Sequence, residues 1–154
     1  MADETGTGGR SLEISDDGPM IVATVRLPAC SPGRALSAFT DPAILAGWWR
    51  GELTADLVPG GEYSVSFPSI PARLTGLVLS YRPGELLEFS WAWEGEEEPP
   101  STVQITARGD RSAGRAELTI AHGPHEDDEP GRTARQSHLE GWEYFLPRLY
   151  DELS

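Results

Sequence analysis

The sequence predicts an α+β fold, a curved antiparallel β-sheet wrapped around a long C-terminal α-helix, with two short helices after the first strand. Three observations carry that expectation. Between Leu53 and His122, apolar and polar residues alternate in short runs separated by turn residues, the pattern of strands with one buried face. From Thr133 to Leu153 the apolar residues Leu139, Trp142, Phe145, Leu146, Leu149 and Leu153 recur at helical steps. Between these and a first strand lie two capped helical segments that end in Trp48-Trp49.

In chain order, residues 1–17 read as a flexible N-terminal tail with Leu12 and Ile14 able to touch the sheet, and residues 18–154 as one domain. Met20 to Leu27 is the first strand. Ser31-Pro32 is a helix start, and Thr40-Asp41-Pro42 caps and restarts a second helix, with proline where a missing N–H is tolerated. Gly47 is expected to stop that helix. Tyr63, Val65 and Phe67 share one strand face after the Pro59-Gly60-Gly61 turn, and Arg73 to Tyr81 is a nearly continuous apolar run. Leu87, Phe89, Trp91 and Trp93 share a face, followed by the acidic hairpin loop Glu94–Pro100. Val103, Ile105 and Ala107 give the next strand, and Ala116, Leu118, Ile120 and His122 the last. A Gly/Pro/acid-rich loop, Gly123 to Gly131, precedes the final helix, in which Pro147 forces a kink or a break. The helix stripe is the only long element able to cover the apolar sheet face, which gives the order of a helix-grip fold.

Composition narrows the function. The 154 residues carry 25 acidic and 12 basic side chains, all of the latter arginine, for a net charge of −13. No basic stripe offers phosphate neutralisation, so nucleic acid is excluded as a partner, and the same charge opposes anionic membranes. Cys30 is the only cysteine, so no intrachain disulfide forms, and the chain lacks an apolar signal segment or membrane-spanning run; a cytoplasmic protein is expected.

Several pieces of the chain, in order, resemble one family. Ala38-Phe39-Thr40-Asp41-Pro42 through Trp48-Trp49 is similar to the opening motif of the activator-of-heat-shock-protein-90-ATPase-homologue-like family, and Gly60-Gly61-Glu62-Tyr63 to its next turn. Gly76 with Val78, then Pro83 through Leu87-Glu88-Phe89-Ser90-Trp91, resembles its central hairpin. Leu118-Thr119-Ile120 with His122, and Gly141-Trp142 with Leu149, resemble its last strand and terminal helix. The resemblance spans about residues 18–153 and implies the START-type, birch-pollen-allergen-like superfamily, whose members enclose an apolar cavity between sheet and helix. It implies no shared catalytic motif.

The candidate ligand-binding residues are Trp49, Tyr63, Phe67, Phe89, Trp91, Trp93, His122, Trp142 and Phe145, which phase toward the space under the helix. They either line a pocket of about 300–1,000 Å³ or fill it. His122 is the one weak catalytic candidate, as a general base; Arg73, Arg115 or His138 would have to supply its partner. The run His122-Gly-Pro-His125-Glu126-Asp127-Asp128-Glu129 holds two imidazoles and four carboxylates, but no regular element fixes their geometry. A solvated loop tip, with no metal and no cofactor, is the expectation. The resulting reading is a non-catalytic binder of a small hydrophobic molecule, a monomer or weak homodimer. The alternatives are a cyclase- or hydrolase-like cavity enzyme using His122, or a protein-interaction module that would show an exposed apolar patch at the outer sheet or Trp48-Trp49.

Overall fold

The computed structural model describes residues 11–15, 18–96, 101–110 and 114–154. Its strands are β1 (Leu12–Ser15), β2 (Ile21–Leu27), β3 (Glu52–Ala55), β4 (Tyr63–Phe67), β5 (Ala72–Thr75), β6 (Val78–Arg82), β7 (Leu86–Trp93), β8 (Ser101–Asp110) and β9 (Arg115–Gly123). The helices are α1 (Pro32–Thr40), α2 (Pro42–Trp48) and α3 (Glu129–Leu153). All strand pairings are antiparallel, in the order β1-β2-β9-β8-β7-β5-β4-β3, with β6 paired to β7. This is the predicted architecture: an open antiparallel sheet, two short helices and a long C-terminal helix.

The capping chemistry produces the two short helices as read. Ser31 Oγ accepts the Arg34 N–H at 3.2 Å, and Asp41 Oδ1 accepts the Ala43 N–H at 2.9 Å. Gly47 does not stop α2, which runs one residue further to Trp48. Its role is proximity: a Cβ there would lie 2.8 Å from the Glu152 carboxylate, so glycine lets the end of α3 come against α2. The chain turns instead at Arg50, at φ +60°.

The apolar run Arg73–Tyr81 is split into β5 and β6 at Gly76-Leu77; both pieces pair with β7, Thr75 opposite Ala92 and Val78 opposite Phe89, and the register shifts by one residue between Val78 and Ser80. A side chain at Gly76 would collide with the Ser90 carbonyl, so the strand bends there against its neighbour. The helix α3 starts at Glu129, earlier than the apolar stripe suggested, because Asp128 caps it by accepting the Gly131 N–H at 2.8 Å and Pro130 sits in the first turn. It then runs unbroken past Pro147, with Leu146, Leu149 and Leu153 buried.

Four residues of the expected tail contribute to the sheet. Leu12–Ser15 pairs with Val22–Val25 as an edge strand, its Leu12 and Ile14 packed against the core. Residues 1–10, 16 and 17 of the expected tail, and residues 97–100 of the expected acidic hairpin loop, lie outside the described residues. Deleting residues 1–15 is therefore expected to lower the melting temperature by several degrees, since about 1 kcal/mol corresponds to roughly 2–4 °C in a chain of this size. An unchanged melting temperature would make the whole segment dispensable.

Candidate ligand-binding site

Five tryptophans set the character of the interior. The turn from α2 into β3 buries both Trp48 and Trp49, stacked with ring centres 5.0 Å apart. Trp48 is fixed by donating its indole N–H to the Ala38 carbonyl at 2.8 Å. Trp49 is the hub: its ring lies 5.9 Å from Phe67, 6.0 Å from Trp91 and 5.7 Å from Trp142. Alternation along β4 and β7 brings Phe67 and Trp91 to this face, and the stripe of α3 brings Trp142 and Phe145 down onto it.

Between these rings is a pocket of about 170 Å³. Trp49, Phe67, Trp91, Trp93, Trp142 and Phe145 line it, so six of the nine expected residues meet at one place. Ile70, Ser137, His138 and Gly141 complete the wall. A wider, open cleft of about 580 Å³ shares Ile70, Trp93, Ser137 and His138 with the pocket and carries Arg73, Glu94, Glu96 and Glu129. The pocket proper is smaller than expected because the rings do both things the sequence allowed: they line it and largely fill it.

The other three expected residues lie elsewhere. Tyr63 and Phe89 stack on each other with ring centres 4.0 Å apart and are fully buried. The Tyr63 hydroxyl donates to the Phe39 carbonyl at 2.6 Å, which ties β4 to α1, and burial pushes its pKa up. His122 sits beneath the pocket, fully buried. The Trp142 indole donates to its Nδ1 at 3.1 Å, and since an indole N–H can only donate, the His122 proton is on Nε2, which donates to Ser101 Oγ at 2.9 Å. Both ring nitrogens are thus engaged within the protein, and burial, with the neighbouring His138 and His125, holds its pKa well below the usual value. That arrangement removes the support for His122 as a general base acting on a pocket ligand.

His125 and His138 are where sequence reasoning fell short. His125 is not on a solvated loop tip: it is 8% exposed and turned inward, while the neighbouring Glu126, Asp127 and Asp128 are exposed as expected. Its Nδ1–H donates to the Pro19 carbonyl at 2.9 Å, and its Nε2 accepts from His138 Nδ1 at 2.9 Å. Burial lowers the pKa of His125 and takes that of His138 down to about 4. The only signal in the sequence was position, because His138 lies one helical turn before Trp142 on the apolar stripe.

An antiparallel sheet closed by a single C-terminal helix, with an aromatic pocket between them, defines a helix-grip domain of the START type. The chain belongs to the family of activator of Hsp90 ATPase homolog 1-like proteins, whose model matches residues 29–154. Solved structures agree on the fold. Protein MLL2253 from Mesorhizobium loti superposes with a TM-score of 0.74 at 19% identity, over 87% of this chain and 96% of that one. CalU16 from Micromonospora echinospora gives 0.69 at 22% identity, over 91% and 82%. DynU16, a protein of the dynemicin biosynthetic locus, gives 0.73 at 25% identity over 88% of this chain, which spans about half (47%) of DynU16. A search of curated protein sequences returns no match. No described helix is long and apolar enough to cross a membrane.

Proposed function

We propose that the protein binds a small aromatic or otherwise flat apolar molecule in the tryptophan-lined pocket and does not transform it. The observation that carries this reading is the wall itself: four indoles and two phenylalanine rings around about 170 Å³, with no carboxylate among the described lining residues. An apolar cavity of about 150 Å³ holds one benzene-sized molecule, so the pocket takes a ring-sized group without rearrangement, and the adjoining cleft leaves room for a polar remainder of the ligand. Trp91, on the pocket wall, keeps its indole N–H buried with no hydrogen-bond partner among the described residues. DynU16, a protein of the dynemicin biosynthetic locus that shares this fold, fits a role beside small-molecule biosynthesis.

The interaction-module reading has less support. Trp48 and Trp49 are buried, and of the exposed large apolar side chains among the described residues Leu77 and Leu79 sit together at β6 beside the Val58 turn, while Val22, Ile70 and Tyr144 lie on other elements.

Gly141 provides the test. It lies inside α3 on the pocket wall, and a Cβ there would meet nothing within 4 Å. Gly141→Ala is expected to stabilise the protein by about 1 kcal/mol through helix propensity alone. Gly141→Phe should keep the fold and plug the pocket. Titration with small aromatic fluorophores, read by quenching of tryptophan emission, should show saturable binding in the wild type and Gly141→Ala and at least a tenfold loss in Gly141→Phe. Equal binding in Gly141→Phe, or none in the wild type, would remove the pocket as the ligand site.

A further inference from the structure

The three histidines of this chain are its only ones, and although they come from a strand, a loop and a helix, they converge. His122, His125 and His138 each present a ring nitrogen such that all three lie within 4.8 Å of one another. All three side chains are buried, and the ring centres are 4.4 Å apart for His122 and His138, 5.1 Å for His125 and His138, and 5.2 Å for His122 and His125. A core gains little from gathering its only imidazoles in this way, since each must be kept neutral and hydrogen-bonded to be buried at all.

We propose that His122, His125 and His138 form a binding site for a divalent first-row transition ion, zinc foremost, placed behind the wall of the aromatic pocket. Imidazole donors suit this class of ion, and three of them leave a fourth, open position. With zinc–nitrogen bonds of about 2.0–2.1 Å, tetrahedral ligand nitrogens stand about 3.3 Å apart. The His125 and His138 nitrogens are already 2.9 Å apart, so closing the site requires the rings to open slightly and His122 to move inward by on the order of 1 Å. The hydrogen bond between His125 and His138 takes the place of the ion in its absence; binding shifts the His138 proton from Nδ1 to Nε2 and exchanges that hydrogen bond for two metal bonds.

The outer contacts match what a metal-binding histidine needs. A ligating imidazole normally anchors its other nitrogen to a carbonyl, carboxylate or water, which sets tautomer and ring orientation. His125 does so: its Nδ1–H is on the Pro19 carbonyl, and its Nε2 lone pair therefore faces the cluster. For His122 only Nδ1 can take the ion: its Nε2–H then stays on Ser101 Oγ, and the Trp142 indole, which can only donate, gives up its bond to Nδ1. His138 belongs to both the cluster and the pocket wall, so the site adjoins the pocket. The Arg135 charge near His125 opposes a cation, and the site compensates only through its three donors. The proposal stands apart from the identity, or existence, of an organic ligand in the pocket.

The first test needs no variant. Because the chain has no other imidazole, the copper(II) complex should show, by nitrogen hyperfine structure in electron paramagnetic resonance, three bound imidazoles at one ion per chain. The cobalt(II) complex should give the intense visible bands of a four-coordinate site. Zinc alone, titrated against a chromophoric chelator, should bind one to one and raise the melting temperature. His125→Gln and His138→Gln should each weaken zinc by about 100-fold or more and abolish the thermal shift. Glu126→Gln with Asp127→Asn, which removes exposed carboxylates beside the cluster, should change neither. Absence of stoichiometric binding, a copper spectrum with fewer than two imidazoles, or zinc binding lost only in the carboxylate variant would overturn the proposal.

Discussion

Trp142→Ala is expected to lower the free energy of unfolding by about 3–5 kcal/mol, the range for deleting a buried large aromatic side chain. Trp142 is 3% exposed and is the contact through which α3 reaches the sheet side of the pocket, with ring centres 5.7 Å from Trp49 and 5.9 Å from Trp91. Its loss opens space between rings that cannot follow α3 inward, because Trp49 is stacked on Trp48 and Trp48 is tied to Ala38. The substitution also strips the donor from His122 Nδ1, and a buried acceptor left without a partner costs about 1–3 kcal/mol. Trp142→Phe separates the two effects: it keeps most of the ring volume and removes only the N–H, so about 1–3 kcal/mol should be lost. Urea unfolding of both variants reads the difference. A cost below about 1 kcal/mol for Trp142→Ala would mean that the helix is not seated on this face.

Much of this architecture was legible because it rests on period. Alternation placed Val103, Ile105, Leu118 and Ile120 on one face, and the stripe from Leu139 to Leu153 could only serve a helix; all are buried except Phe145, which is half-buried on the pocket wall. What period does not encode is contact with a distant part of the chain. Gly47 reads as a stop until Glu152 is seen beside it, and Gly76 reads as part of a strand until the Ser90 carbonyl is found in its way. The tail assignment for Leu12–Ser15 failed to anticipate a strand for a related reason. Four residues with one neighbour on a sheet edge carry almost no local signal, and their pairing with β2 supplies the order.

The site divides along the same line. Phase told which way a ring points and not how deep it lies. Phe67, Trp91 and Trp93 reach the pocket, whereas Tyr63 and Phe89, on the same face, are sealed under α1 by the Tyr63–Phe39 hydrogen bond. The histidine cluster depended on where a loop docks. His125 is held by the Pro19 carbonyl, 106 residues earlier in the chain, and no spacing rule connects the two.

Acid should find these histidines before it finds the carboxylates. All three are neutral and hydrogen-bonded in the folded protein, and each has a pKa lowered from the ordinary 6.5, mainly by burial; His138 is brought to about 4. In the unfolded chain the same imidazoles titrate normally. Below about pH 6.5 the unfolded state therefore binds more protons than the folded one, so stability falls as pH falls, by on the order of 1 kcal/mol per pH unit for each histidine. The contribution is complete above the unfolded value and continues to be lost until the folded value is passed, about 4 for His138. Carboxylates titrate mainly below about pH 5, so the interval from about 6.5 to about 5 belongs to the imidazoles. Urea unfolding across that interval should show a steep decline in stability, accompanied by loosening around Trp91 and Trp142, whose rings lie against His122. His138→Gln, even if less stable at neutral pH, should show a shallower slope, because one of the three proton-linked groups is gone. A profile that stays flat from neutral pH to about 5 would show that the imidazoles are already reached by water or protons in the folded state. The neutral, desolvated state of the cluster would then have to be abandoned.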